Sequence, residues 1–305
     1  MQFLSNPDLH TIKPDRPWTA HDDGHFCASK QNSFWKTIKW IRKWHRGDDG
    51  SRVKYIPMTM PRSWYTRLGH STFIFVHNSK TFITDPVFYS IPFVHRISSM
   101  PIRPKDIVGV DYILISHDHR DHLDQSSLKL LCRNNPRAQI LCGLWVKKLI
   151  SWRVKNPIQE AWRYQQYDTD QSIIFLPSTH RARRWLWDTN TRLWWSFAID
   201  GIYFGWDSAY WSHFTDIWEC LKIHHAFLGV GACEPRRFMK DAHMNVDDAL
   251  QAAKDMKAEH IIPMHFGTFR LWDDTVKSVQ KACANAGIAP CVIWKNYQRS
   301  NVWLG

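Results

Sequence analysis

The run SHDHRDHLD, residues 116–124, sets His117, His119, Asp121 and His122 within six positions. Imidazole and carboxylate are donor types that suit zinc and similar divalent ions. His117 and His119, two apart, can converge on one ion from a tight loop, which leaves Asp121 and His122 to face a second. Two ions about 3.5–4 Å apart can hold a hydroxide between them, the nucleophile of two-metal hydrolytic sites. Two ions need more ligands than one run supplies. His180 follows SIIFLPST, Asp207 follows GIYFGW and His265 follows EHIIPM, so each stands at the end of an apolar run. A single histidine in such a place is often structural, but four ligand-type residues in so short a run are poorly explained by chance.

Those apolar runs are the elements that must carry the site. DYILIS (111–116) lies between polar residues and reads as a buried strand that delivers the first four ligands. WYTRLGH (64–70), STFIFVH (71–77) and TFITDP, with a turn at Asn78-Ser79-Lys80, read as paired strands. SIIFLPS (172–178), WWSFAID (194–200), GIYFGWD (201–207), HAFLGV (225–230) and EHIIPMH (259–265) read as further strands. Helices are expected over about 124–134, over 245–258 with Asn245 as N-cap, and over about 274–286. Residues 63–305 therefore read as one mixed α/β domain. Residues 1–62 read as an N-terminal extension, irregular except for FWKTIKWIRKWHR at 34–46. There Phe34, Ile38 and Ile41 share one helical face and Lys36, Lys39, Lys43 and Arg46 another. Such a basic amphipathic helix packs on the core or lies on an anionic membrane.

Composition narrows the setting. Forty Lys and Arg against 28 Asp and Glu give a net charge of +12, which favours phospholipid surfaces, nucleic acid or acidic small molecules. The 18 Trp would suit a membrane interface, where an indole meets both apolar and polar surroundings. Seven Cys without a CxxC pair argue against a disulfide framework and for a reducing compartment. No signal-peptide core and no apolar run of about 18 residues is visible, so the expected location is cytoplasmic with peripheral membrane attachment.

HDHRDH resembles the HxHxDH motif of metallo-β-lactamase-fold hydrolases, and LGHSTFIF followed by TDPVF resembles the opening of that fold. The resemblance implies an α/β (α+β) architecture, a four-layer αββα sandwich with a metal site at one rim of its two sheets. It implies two divalent ions, zinc by default, with His117, His119 and His180 on one and Asp121, His122 and His265 on the other. Asp207 would bridge them. Asp85, in TDPVF, is similar to an aspartate that supports the site from outside, as carboxylates behind metal-binding imidazoles do. LGH, TDPVF, HDHRDHLD, PSTHRARR, TRLWWSF, GWDSAY, EPRRFMKDAHMN and PMHFGTF occur in the order found in N-acyl-phosphatidylethanolamine-hydrolysing phospholipases D and their bacterial relatives. Two departures lie beside ligands: His180-Arg181 where relatives often have His-Trp, and GWDSAY where GDTGY is common.

The resemblance further implies a phosphoric diester hydrolase of phospholipase D type, which cuts N-acyl-phosphatidylethanolamine-like lipids into phosphatidic acid and an N-acylethanolamine. Asp121 and Asp207 would position the attacking hydroxide. His243, in KDAHMN, would contact the phosphate or protonate the leaving alkoxide. Arg181, Arg183 and Arg184 follow His180 directly and suit a phosphate through their planar donors. Trp185, Trp187, Trp194 and Trp195 interleave with them, as a lipid-facing mouth would require. The expected partner is a phospholipid at an anionic membrane surface, not nucleic acid, with a homodimer left open. Rival readings are a nuclease or tRNA-processing enzyme of the same fold, a soluble lactonase, and a membrane-surface protein with a structural metal site. The chain shows no inserted RNA-gripping module, and a lactonase needs no basic, Trp-rich surface. A structural zinc site closes with four ligands, whereas seven are present here.

Overall fold

The central strands of this chain, whose computed structural model describes residues 6–12, 21–22, 25–26, 64–185, 187–269 and 276–287, are buried on both faces. Two short N-terminal pieces come first: β1 (His10–Thr11), and β2 (His21–Asp22) paired with β3 (His25–Phe26). A six-stranded sheet follows in the order β4 (Tyr65–Gly69), β5 (Thr72–His77), β6 (Lys80–Thr84), β7 (Tyr112–Leu114), β8 (Gln139–Gly143) and β9 (Ile158–Ala161). It is antiparallel from β4 to β6 and parallel from β6 to β9. The second sheet has seven strands: β1, β10 (Gln165–Gln166), β11 (Ile173–Leu176), β12 (Ser196–Ile199), β13 (Ile202–Phe204), β14 (His225–Gly229) and β15 (His260–Met264). It turns parallel only over its last three strands.

Successive side chains of a strand point to opposite faces, so each strand divides its residues between two cores. Tyr112 and Leu114 of β7, Phe82 of β6, Ile173 and Phe175 of β11 and Phe227 of β14 meet between the sheets. Their neighbours Ile113, Ile83, Ile174, Leu176 and Leu228 face outward to helices. On the outside of the six-stranded sheet α1 (Gln125–Asn134) buries Leu128 and Leu131, with α2 (Lys147–Ile150) beside it. On the outside of the seven-stranded sheet lie α3 (His213–Trp218), α5 (Val246–Asp255) and α6 (Val276–Asn285), while the short α4 (Arg236–Met239) precedes α5. Helix, sheet, sheet and helix are therefore the four layers, each fully buried Leu, Ile or Phe contributing about 1.5–3 kcal/mol.

Local signals place the helix starts. The Asp124 carboxylate accepts from the backbone N–H groups of Ser126 and Ser127 and so caps α1. Asn245 caps α5 as expected and forms a reciprocal capping box with Asp248. The two-residue strands β1, β2, β3 and β10 lie outside the expected set, as do β8 and β9, because QILCG and IQEA are too short for their period to separate strand from helix. The expected extension is also not wholly separate: His10 and Thr11 pair with Gln166 and Gln165, adding an edge strand to the core sheet. The expected helix at 34–46 lies outside the described residues. Among those residues no helix is long and apolar enough to cross a membrane.

Candidate metal centre

Both sheets end their parallel strands at one rim, and the carboxyl ends of parallel strands open onto a shared crevice. The loop from β7 to α1 carries His117, His119, Asp121 and His122. His180 follows β11, Asp207 follows β13, His265 follows β15, and Asp85 follows β6. Left-handed backbone occurs at or directly before some of these positions: φ is +34° at Asp85, +38° at Trp206, which precedes Asp207, and +67° at His265. Such conformations cost about 1–3 kcal/mol each and persist where surrounding structure enforces them, often at functional sites. Glycine makes the convergence sterically feasible. A Cβ on Gly229 would stand 2.5 Å from the Trp206 carbonyl oxygen, and one on Gly231 2.1 Å from that of His265.

Two donor groups result. In the first, ligand atoms of His117, His119, His180 and Asp207 all lie within 4.8 Å of one another. In the second, the same holds for His70, Asp121, His122 and His265. Asp207 reaches both: its Oδ2 is 3.5 Å from His180 Nε2 and 3.2 Å from His122 Nε2, and its Oδ1 is 2.9 Å from His265 Nε2. His243 joins Asp207 and His265 in a third, overlapping group. All seven expected ligands are thus brought together. His70 joins them without a ligand signal in the sequence, where LGH resembles only the opening of the fold, yet its Nε2 lies 3.1 Å from Asp121 Oδ2.

The far sides of the rings are held. Asp85, fully buried, accepts from the Ser116 backbone N–H at 2.7 Å, the Ser116 hydroxyl at 2.6 Å and His122 Nδ1 at 2.6 Å. His180 Nδ1 donates to the Ala242 carbonyl at 2.9 Å. Outer partners on Nδ1 leave the Nε2 lone pairs aimed inward, the arrangement that prepares imidazole for a metal. Facing nitrogens as near as His265 Nε2 and His122 Nε2, at 3.1 Å, have no better common partner than a cation. The donor set therefore fits divalent metal.

A family model for the beta-lactamase superfamily domain matches residues 80–266, which include every donor of the two groups except His70. The chain belongs to the beta-lactamase superfamily. It is 32% identical to N-acyl-phosphatidylethanolamine-hydrolyzing phospholipase D 1 of Caenorhabditis elegans, over 67% of this chain and 64% of that protein. It is 26% identical to a UPF0173 metal-dependent hydrolase of Bacillus cereus, over 66% of this chain and 84% of the relative. The fold is that of a metallo hydrolase from the archaeon Ignicoccus hospitalis, at a TM-score of 0.56 and 19% identity, with 74% of this chain and 92% of the other covered. The match thus spans less than two thirds of the nematode relative.

Electrostatics divide this superfamily member's histidines into two sets. Burial pushes His70 and His180 down to about 3 and His119 to about 4. Burial acts the same way on His265, but Asp207 and Asp121 outweigh it and push that imidazole up to about 9. His122 is raised for the same reason, against its own burial. Burial also raises Asp85, although its bonds from His122 and Ser116 oppose the shift. A histidine with a lowered folded pKa stabilises the fold above its unfolded value near 6.5 and loses that contribution as pH falls towards the folded value. The raised His265 has the opposite sign: its contribution is complete below 6.5 and disappears as pH rises through about 9. Chelator-treated protein is therefore expected to melt at progressively lower temperature between about pH 6.5 and about pH 4. Thermal unfolding across that range checks this, and a flat melting temperature contradicts it.

The mouth loop after β11 differs in part from expectation. Arg184 Nη1 donates to the carbonyls of Asp118 and Leu123 at 2.9 and 2.8 Å, so its expected phosphate role gives way to bracing the metal-motif loop. Arg192 adds to the brace, with Nε 2.7 Å from the buried Asp118 carboxylate and a further pair to Asp188. Trp194 and Trp195 do not line a mouth. They are buried between the sheets, because WWSFAID leads into β12 beneath the rim. Arg183 and Trp185 are exposed, and Arg181 is half-buried next to His180 in the chain. Burial first, and then the neighbouring Arg183, push the Arg181 guanidinium down, against the opposing pull of Asp241.

Proposed function

We propose that this chain is a zinc-dependent phosphodiesterase of phospholipase D type, acting on N-acyl-phosphatidylethanolamine-like lipids at an anionic membrane surface. The observation that carries this reading is Asp207 shared between two donor groups, with the half-buried Arg181 next to the donor His180. The nematode relative's activity supports the substrate class. Zinc ions held by His117, His119, His180 and Asp207, and by Asp121, His122 and His265, would counter charge on a phosphodiester and acidify water at neutral pH. Asp121 and Asp207 orient the attacking water through their carboxylates. Arg181 and Arg183 bind the phosphate oxygens and orient phosphorus towards that water. The water oxygen bonds to phosphorus, the bond from phosphorus to the ethanolamine oxygen breaks, and the water's proton ends on the departing alkoxide. His243, whose ring lies 5.0 Å from that of His180 and 5.3 Å from that of His265, is held neutral by burial. It is thus a proton acceptor on that route, and donates only after it has taken the water's proton.

The test is product analysis by mass spectrometry. The zinc-loaded chain is incubated with liposomes of N-acyl-phosphatidylethanolamine and phosphatidylcholine, with and without chelator. Phosphatidic acid and N-acylethanolamine that disappear with chelator are expected. No turnover by protein shown to hold its metal defeats the lipid assignment, and nucleotide diesters and lactones become the next substrates.

A further inference from the structure

Large exposed hydrophobic side chains of the described residues are not spread evenly. Val76 lies on β5, Val108 just before the start of β7 and Trp152 just after α2. The others lie on the loops that leave the carboxyl ends of β6, β11 and β13, the same loops that carry Asp85, His180 and Asp207. They include the two most exposed, Phe93 at 85% and Trp187 at 75%. Contiguous exposed apolar surface beside polar groups marks an interaction site more often than scattered apolar residues do.

The placement of these rings is built in. Ile91 and Val94 exchange backbone hydrogen bonds at 3.1 and 3.0 Å, so Pro92 and Phe93 form the apex of a two-residue turn. Phe93 has φ of +68°. Proline followed by a positive φ is the pattern of a type II turn, which favours glycine at the second position. A phenylalanine there is held in a costly conformation and still presented outward. Ile91, Val94, Val87 and Phe269 form an apolar base under the turn, and the Phe269 ring lies 5.2 Å from that of His70 in the metal centre. On the loop after β11, Trp185 and Trp187 stack with ring centroids 5.8 Å apart and planes 5° from parallel. Arg120, between the ligands His119 and Asp121, lies over the Trp185 ring at 4.6 Å.

We infer that the metal-bearing rim docks on an anionic phospholipid bilayer, with Phe93 and the Trp185–Trp187 pair entering its interfacial layer. Indole rings favour that layer because one end is apolar and the other polar. Arg120, Arg181 and Arg183 bring positive charge among the rings, which suits anionic headgroups. The same charge disfavours a second copy as occupant, since a self-paired rim would set basic face against basic face. The inference rests on the lipid-phosphodiester reading of the same centre and adds the surface by which the centre meets its substrate.

The experiment is co-sedimentation of the full chain with vesicles of phosphatidylcholine alone or with phosphatidylglycerol added. Wild type is compared with the double variant Phe93→Gly, Trp187→Ser. Glycine suits the left-handed position and Trp187 is exposed, so the variant keeps its fold, checked by melting temperature. Its hydrolysis of soluble bis(p-nitrophenyl) phosphate is measured alongside. Wild type is expected to sediment with anionic vesicles, and the variant's partition to fall about tenfold or more with soluble turnover unchanged. A variant that sediments like wild type overturns the inference, because another surface, such as residues 34–46, then carries binding. Wild type that stays in the supernatant also overturns it, as does a wild-type dimer that the variant converts to monomer without any vesicle effect. Sedimentation needs no turnover, so the two readings separate. Variant-sensitive binding without lipid hydrolysis upholds docking and defeats the substrate, whereas hydrolysis in detergent micelles without vesicle binding does the reverse.

Discussion

Asp207→Asn is expected to lower phosphodiester hydrolysis by about a thousandfold or more, with little change in fold. The carboxylate lies within 3.6 Å of ring nitrogens from His117, His122, His180 and His265, on both sides of the centre. In the metal-free protein its charge holds His122 and His265 protonated, and burial, which works against any charge here, is outweighed by those two histidines so that Asp207 itself stays well below the usual carboxylate range. An amide of the same shape keeps the packing but removes the counter-charge that a cation would use. Metal content after dialysis should fall together with rate, while the melting temperature of the chelated protein moves far less. His117→Ala should behave alike at the first donor group. Wild-type rates in both variants, with full metal content, would remove these residues from the centre.

Asp85→Asn is expected to weaken metal binding at the Asp121, His122 and His265 group by about 10–100-fold. Asp85 touches no other member of the two donor groups than His122, and its effect passes through the tautomer of that ring. The carboxylate accepts from His122 Nδ1, so the proton a metal would displace from this ring is the one on the inward Nε2, which leaves the lone pair there. An Asn that still accepts from the Ser116 N–H presents its NH2 to His122, which then accepts at Nδ1 and holds its proton at Nε2. A protonated Nε2 cannot ligate. Asp85→Ala is a harsher change, because three buried donors lose their acceptor at about 1–3 kcal/mol each. Zinc titration with a competing chelator, together with thermal melts, separates the two. If Asp85→Asn binds metal like wild type, the tautomer account is wrong.

Much of the centre was legible because its chemistry is local. HDHRDH holds four donors on one loop, and few structures other than a metal site use so many together. His180, Asp207 and His265 were legible because each ends an apolar run, and such runs place their last residue at a sheet edge. Asn245 was legible as a cap because its side chain satisfies N–H groups only three positions away. Other features were not. His70 follows a glycine in a motif that resembles a mere opening, and nothing nearby in sequence signals that its ring meets Asp121, 51 positions on. PSTHRARR puts three arginines in one stretch, yet Arg184 is drawn into bracing Asp118 and Leu123 while Arg183 stays exposed. Trp194 and Trp195 look like Trp185 and Trp187 by composition, but the first pair enters the core and the second stays in water.

The sequence by itself determined the donor types, their placement at strand ends, and the mixed α/β class, because residue chemistry and short-range periodicity are carried by neighbours along the chain. Only the tertiary structure decided that two separate sheets end at a single rim, that Asp207 reaches both donor groups, that Asp85 sets the tautomer of His122, and which tryptophans face outward. Each of these depends on contacts between residues far apart in the chain, and such contacts are chosen by how the layers pack against one another, for which no local pattern of residues is a sufficient guide.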